Sequence, residues 1–184
     1  EHLGFGHYRF NGVQNYIDVF SRPEFWKATW NTIYFCILTV PLGVFIALLV
    51  AMLLNAKIKG RGFFRTVFFL PMICAPAAVT MVWRWLFNGE YGILNQLFGT
   101  SISWLTDSKW VMLACAVVAI WSNIGYDAVL LLSGLQNISK SYYEAAEIDG
   151  TTKVKQFFQI TLPMVSPTLF VVLIMRLMAS GKVY

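Results

Sequence analysis

The residues of this chain that could do chemistry lie in two clusters, each set among long apolar stretches. The first cluster combines aromatic rings with an amide, a carboxylate and a glycine: Trp121, Asn123, Gly125, Tyr126 and Asp127. Such side chains suit a carbohydrate, because aromatic rings stack on its apolar faces and amide or carboxylate groups hydrogen-bond its hydroxyls. Asp127 could instead form a buried ion pair with Arg176 of another apolar stretch, and the sequence leaves both roles open.

The second cluster is a polar interval whose spacing reads E-A-A, three residues, G, nine residues, I-x-L-P. An aspartate stands directly before the glycine, and the residues of the cluster are Glu144, Ala145, Ala146, Asp149, Gly150, Ile160, Leu162 and Pro163. Ser141 and Glu144 form an S-x-x-E capping box. This pattern predicts that a short helix begins at Tyr142.

The glycine in this interval predicts where the short helix ends. Gly150 should adopt the left-handed conformation that glycine reaches most easily, and Thr151 or Thr152 should cap a second helix over 153–160. The two alanines leave the first helix smooth, so another protein could approach it closely. The apolar side chains available to anchor such a partner are Tyr142, Tyr143 and Ile148. A helix, a glycine bend and a second helix are expected to form a docking site.

Catalytic groupings are missing from the sequence. It contains no Ser-His-Asp or Cys-His arrangement in a polar segment and no G-x-x-x-x-G-K-[ST] phosphate loop. Cys36, Cys74 and Cys115 lie in three different apolar stretches, with the spacing of neither a disulfide framework nor a zinc site. We therefore expect the chain not to be an enzyme by itself and to hold no metal or cofactor.

The composition is that of a membrane protein, with 58% hydrophobic and 12% charged residues and a mean hydropathy of +0.62. A helix needs ~20 apolar residues to cross ~30 Å of hydrocarbon. Four stretches qualify, and the predicted spans are 28–54, 66–87, 110–135 and 162–178. Their apolar runs are continuous and do not alternate, which predicts an all-α transmembrane bundle.

The positions of Lys and Arg predict the orientation, because cytoplasmic loops collect these residues. The loop over 55–65 carries Lys57, Lys59, Arg61 and Arg65 without an acidic residue. The loop over 136–161 carries Lys140, Lys153 and Lys155, and both loops should be cytoplasmic. The net charge of +5 therefore reflects topology. A nucleic-acid partner is not expected, because Glu144, Glu147 and Asp149 cancel the lysines of the second loop.

The spacing of the E-A-A to I-x-L-P pattern resembles the signature loop of permease subunits of binding-protein-dependent ABC importers. We call residues 136–161 the EAA loop. The resemblance implies that this loop meets the ATPase, with ATP and Mg²⁺ bound by two separate ATP-binding subunits. It further implies a second permease subunit, an extracytoplasmic solute-binding protein and a place in a bacterial or archaeal plasma membrane. Family members resemble this chain from after their first helix into their fifth, so we expect a fragment with four spans.

Further motifs resemble the sugar-importing branch of this family. They are Asn15-Tyr16, Arg61-Gly62, Phe69-Leu70-Pro71, Trp83-Arg84-Trp85-Leu86-Phe87 and Gly134-Leu135-Gln136. This branch implies a sugar, a sugar alcohol or glycerol phosphate as solute and makes the first cluster, Trp121 to Asp127, the candidate translocation path. The alternative is an ATP-independent secondary carrier or channel in which the EAA loop is only a tether.

Overall fold

The protein is described by a computed structural model covering residues 12–56 and 60–182. Lys57 and Lys59, which support part of the predicted orientation, lie outside the described residues. The helices are α1 (Gln14–Phe20), α2 (Pro23–Asn55), α3 (Arg61–Ile73), α4 (Pro76–Leu86), α5 (Ile93–Phe98), α6 (Val111–Gln136), α7 (Lys140–Ile148), α8 (Lys153–Gln156), a π-helical segment (Phe157–Thr161) and α9 (Leu162–Ser180). No strand occurs within the described ranges, so the predicted all-α fold class is confirmed.

The sequence explains why α2 is the longest of the described helices. Pro23 lies in its first turn, where a missing N–H removes no helical hydrogen bond, and Glu24 places a carboxylate at the positive end of the helix dipole. No charged residue occurs between Ala28 and Leu54. The 33 residues of α2 extend about 50 Å at ~1.5 Å per residue, which exceeds the hydrocarbon thickness.

The core lies where α6 packs against α2, α3 and α9. Gly43, Ala47 and Ala51 form a buried stripe of small residues on α2, and such residues let helices approach closely. Larger apolar side chains fill the space around this contact: Val40, Val44, Leu48 and Leu54 of α2, Leu131, Leu132 and Leu135 of α6, and Val165 and Val172 of α9. Helix α6 is therefore the central element, and the EAA loop follows directly from its end.

Residues 66–87, predicted as one span, form two helices. Helix α3 ends at Ile73, α4 begins at Pro76, and their axes are bent by 101°. The ring of Pro76 disfavours a helical conformation at the preceding residue, and Ala75 is accordingly extended, with φ −61° and ψ 131°. The bent pair is apolar enough to make one broken span.

Three helical stretches within the described ranges are each long and apolar enough to cross a membrane. They are Pro23–Asn55, Val111–Gln136 and Lys153–Ser180. The last stretch runs without a break from α8 through the π-helical segment into α9. Pro163 lies in the first turn of α9, directly after the π-helical segment. A proline ring clashes with the carbonyl four residues earlier in a regular helix, and the wider π turn relieves this clash.

Candidate functional site

The EAA loop begins with a helix whose N-cap differs from the predicted one. Ser139 has an extended backbone, and its side chain accepts a hydrogen bond from the Ser141 amide at 3.4 Å. Helix α7 therefore begins at Lys140, and the prediction of a start at Tyr142 capped by Ser141 is wrong by two residues. Both serines have the right side chain for a cap. The earlier one is used, and the Ser141 hydroxyl lies 2.8 Å from the Ser139 hydroxyl.

Gly150 ends α7 as the sequence predicted. Its φ is +69°, in the left-handed region. The Gly150 amide donates to the Glu147 carbonyl at 3.0 Å, and the Thr151 amide donates to the Ala146 carbonyl at 3.0 Å. These two bonds make a Schellman motif, which satisfies carbonyl groups at the helix end. The chain reverses at Gly150 with its backbone groups paired, so the turn is a fixed part of the structure.

Of the two threonines proposed as caps, Thr152 caps α8 by accepting from the Lys155 amide at 3.4 Å. The hydroxyl of Thr151 instead donates to the Ala146 carbonyl. The buried side chain of Gln156 donates to the Thr151 carbonyl at 3.3 Å. These bonds fold α8 back onto the turn, so α7, Gly150 and α8 form one hydrogen-bonded unit.

The side chains of α7 divide between an outward and an inward set. Ile148 is 86% exposed, and Glu144 and Ala145 are also exposed. Ala146 is only 8% exposed, and Tyr143 is half-buried against the core. Ala146 and Tyr143, which were expected to face a partner protein together with Ala145, lie on the side of α7 turned toward the rest of this chain.

The remaining residues of the E-A-A to I-x-L-P pattern connect the EAA loop to α9. Asp149 is exposed at the C-terminal end of α7. Ile160 and Leu162 are half-buried against the core, and Pro163 is exposed in the first turn of α9. The pattern therefore combines an exposed turn with an apolar anchor at the beginning of a membrane helix.

Asp127 lies in a buried ion pair. Its carboxylate accepts a hydrogen bond from Nε of Arg176, and Nη2 of Arg176 donates to the Asn123 carbonyl at 2.9 Å. Asp127 is 3% exposed. The two side chains join α6 to α9 inside apolar helices. The geometry matches the ion-pair role that the sequence left open beside the translocation path.

The structure does not bring the five candidate path residues onto one face of α6. A Cβ atom on Gly125 would lie 2.2 Å from the Phe68 carbonyl oxygen, so Gly125 is a close-packing position against α3. Trp121, Asn123 and Tyr126 are exposed. The ring centroids of Trp121 and Trp83 lie 5.5 Å apart, and the two rings are arranged edge to face. These three side chains are exposed, with the Asn123 side-chain amide donating to the Ala119 carbonyl at 2.7 Å, whereas Gly125 packs against α3 and Asp127 is held in the ion pair.

Two polar contacts between distant residues were not predicted from the sequence. The hydroxyls of Thr39 and Ser180 lie 3.2 Å apart, although 141 positions separate them. These two residues, with Asn123, Asp127 and Arg176, line a small cavity of about 50 Å³. The hydroxyl of Tyr143 lies 2.9 Å from that of Thr161, which is 18 positions away. Contacts at such separations follow no local pattern in a sequence.

Comparison with known proteins identifies the family. A family model described as the binding-protein-dependent transport system inner membrane component matches residues 20–183. This chain belongs to that family. The predicted resemblance is therefore confirmed.

Relatives from bacteria and archaea are similar over nearly the whole chain. The chain is 35% identical to the sulfoquinovosyl glycerol transport system permease protein SmoG of Agrobacterium fabrum, covering 95% of this chain and 58% of the relative. It is 34% identical to the trehalose/maltose transport system permease protein MalF of Thermococcus litoralis, covering 95% and 61%. It is 32% identical to the sn-glycerol-3-phosphate transport system permease protein UgpA of Pectobacterium atrosepticum, covering 91% and 58%. The chain thus spans about three-fifths of the length of these relatives.

The fold is similar to that of solved ABC importers. The chain matches a crystal structure of a bacterial ABC transporter involved in the import of the acidic polysaccharide alginate with a TM-score of 0.83 and 24% identity, covering 95% of this chain and 63% of that one. A second alginate transporter structure, in complex with an alginate-bound periplasmic protein, matches with a TM-score of 0.80 and 25% identity, covering 90% and 59%. The arrangement of helices is therefore that of an importer permease.

Proposed function

We propose that this chain is part of the permease of an ATP-driven importer for a sugar or a related polyol. Two separate ATP-binding subunits would bind ATP and Mg²⁺ and hydrolyse the nucleotide, and a second permease subunit would complete the translocation path. An extracytoplasmic binding protein would deliver the solute, and the EAA loop would lie on the cytoplasmic side of the cell membrane. The sugar assignment is supported by relatives named for glycosides and for glycerol phosphate.

The observation that carries this proposal is the hydrogen-bonded unit of α7, Gly150 and α8 between two membrane helices. It presents Glu144, Ala145 and Ile148 to the outside, and it continues without a break into α9. A short rigid unit with an exposed apolar side chain fits a docking site for another subunit. A flexible tether would need neither paired backbone groups at the turn nor a helical connection to the membrane.

The mechanism follows from a permease that has inward-open and outward-open states. Closure of the ATP-binding subunits on ATP would displace α7, and α9 would follow because the chain between them is helical or hydrogen-bonded. ATP can shift the two populations only by the difference in its binding free energy between them. The permease therefore has the two states, and ATP binding to the ATP-binding subunits shifts the equilibrium between them.

For the solute, the exposed side chains on α6 are the proposed contacts. Trp121 and Tyr126 would stack on the apolar faces of a sugar, and Asn123 would hydrogen-bond its hydroxyls. Gly125 and Asp127 would act indirectly, by fixing the position of α6 against α3 and α9.

A substitution at Gly150 tests the proposal in the full transporter reconstituted in proteoliposomes. Gly150→Val forces a β-branched residue into a left-handed conformation, although no atom lies within 4 Å of the new Cβ, so the strain acts on the turn alone. We expect ATP hydrolysis to continue while solute uptake per ATP falls. Gly99→Val is the matched control, because Gly99 has a φ of +62° and equally open surroundings at the end of α5.

The two candidate functions give opposite results in this experiment. If uptake requires ATP and Gly150→Val uncouples it while Gly99→Val does not, the EAA loop is the ATPase connection. If uptake proceeds without ATP, the secondary carrier or channel is the better description. If uptake requires ATP and Gly150→Val leaves uptake per ATP unchanged, the EAA loop is not the ATPase connection.

A further inference from the structure

Helix α7 contacts Thr161, the residue directly before α9, as well as being joined to α9 through the chain. The hydroxyl oxygens of Tyr143 and Thr161 lie 2.9 Å apart, within hydrogen-bond distance. Tyr143 directly precedes Glu144, and Thr161 is the last residue of the π-helical segment before α9. Thr161 is buried, and Tyr143 is half-buried against the core. The bond therefore connects the docking helix to the membrane helix by a path that skips the turn at Gly150.

Along the chain from α7 to α9, the π-helical segment is the part that transmits a displacement least well. Its hydrogen bonds join residues five apart, and such segments are rare and occur mostly as single turns at functional sites. A displacement of α7 that travelled only through the Gly150 turn, α8 and Phe157–Thr161 could be absorbed by a change of register in this segment. The hydrogen bond between Tyr143 and Thr161 prevents the displacement from being absorbed, because it fixes the end of the π-helical segment relative to α7.

Packing alone does not hold the Tyr143 ring in place. A cleft of about 440 Å³ lies beside it, lined also by Met52 and Asn55 of α2, Leu135 of α6 and Phe157. A phenyl ring without the hydroxyl would have room to shift into this cleft. The hydrogen bond to Thr161 is thus the contact that selects one position for the ring.

We infer that the Tyr143 hydroxyl is a positioning group that transmits displacement of α7 directly to α9 through Thr161. This role rests on the proposed function and adds a residue that lies outside the E-A-A to I-x-L-P pattern. It requires the hydroxyl itself, since the ring is present in phenylalanine as well. The same requirement applies to Thr161, whose hydroxyl is lost in valine at nearly constant volume.

The test uses the full transporter in proteoliposomes and measures solute taken up per ATP hydrolysed. Tyr143→Phe and Thr161→Val should each lower this ratio about fivefold, the factor that corresponds to ~1 kcal/mol for a neutral hydrogen bond. The double variant should fall no further than either single variant, because both remove the same bond. Thr161→Ser keeps a hydroxyl and should restore most of the ratio. Tyr34→Phe is the control, because Tyr34 is an exposed tyrosine of α2, outside the EAA loop, and loses the same hydroxyl.

Each outcome has a separate meaning. A wild-type transporter without ATP-driven uptake would overturn the proposed function, and this inference with it. A coupled wild type in which Tyr143→Phe and Thr161→Val leave the ratio unchanged, or in which their effects multiply in the double variant, would overturn the inference alone. If Tyr143→Phe does not assemble, the comparison of Thr161→Val with Thr161→Ser decides the question: equal ratios contradict the inference, and a restored ratio supports it.

Discussion

Arg176 of α9 donates a hydrogen bond to the carboxylate of Asp127 on α6, and both side chains are largely buried inside apolar helices. Arg176 also donates to the Asn123 carbonyl one turn away on α6. Helices α6 and α9 flank the EAA loop in the chain. The ion pair therefore joins the two helices that the loop connects.

Asp127→Asn should destabilise the protein, because it leaves the Arg176 charge buried without its partner. Breaking a buried pair from one side typically lowers stability by ~3–5 kcal/mol. The double variant Asp127→Asn with Arg176→Gln should recover part of this loss, since it removes the unpaired charge. Thermal unfolding of the purified transporter measures both effects. Unchanged stability together with an altered solute preference in Asp127→Asn would place the carboxylate on the translocation path.

Gly125→Ala should also destabilise the bundle. The added Cβ would lie 2.2 Å from the Phe68 carbonyl oxygen, which belongs to the backbone of α3 and cannot rotate away. Gly62→Ala on α3 is the control, because nothing lies within 4 Å of its Cβ position. That change should be neutral or stabilising by up to ~1 kcal/mol, as glycine is a poor helix former. Similar melting temperatures for the two variants would show that α3 and α6 are not in close contact at this position.

Ser139→Ala should fray the beginning of α7. Loss of an N-cap side chain typically lowers helix stability by ~1 kcal/mol. Ser141→Ala should have a smaller effect, because the Ser141 hydroxyl contacts only the cap residue at 2.8 Å. Hydrogen–deuterium exchange of the α7 amides distinguishes the two variants. Faster exchange in Ser141→Ala than in Ser139→Ala would show that Ser141 is the N-cap, as the capping box in the sequence predicted.

Tyr126→Ala should weaken solute transport without uncoupling it. The Tyr126 side chain is exposed on α6, and removing an aromatic ring removes a stacking surface for a sugar. We expect the KM for the solute to rise while uptake per ATP at saturation stays constant. Tyr34→Ala on α2 is the matched control, because Tyr34 is also an exposed tyrosine in a membrane-spanning helix. Equal KM values for Tyr126→Ala and the wild type would remove Tyr126 from the path.

Much of the fold was predictable because it follows from local rules. The continuous apolar run between Ala28 and Leu54 predicted a membrane helix, and α2 contains it. Gly150 predicted a left-handed helix end, and its φ of +69° agrees. In both cases the decisive physical effect acts within a few residues of the chain, so composition and spacing suffice to find it.

The failures of prediction have two physical origins. Some were choices between nearly equal local options, such as Ser139 or Ser141 as the cap of α7. Others depend on contacts between distant residues: the inward orientation of Tyr143 results from packing against the core and from Thr161. The bend before Pro76 lies between these cases, because the proline was visible in the sequence but the angle of 101° between the axes of α3 and α4 was not.

Crosslinking from the EAA loop to an ATP-binding subunit tests the central claim most directly. In a chain whose Cys36, Cys74 and Cys115 have been replaced, Ile148→Cys provides a single thiol at a position that is 86% exposed. We expect a crosslink to the ATP-binding subunit encoded in the same genome, with a yield that changes when ATP is added. Ala146→Cys is the control and should crosslink poorly, because Ala146 is 8% exposed. No crosslink from Ile148→Cys, although a membrane-impermeant reagent labels it from the cytoplasmic side, would contradict the account.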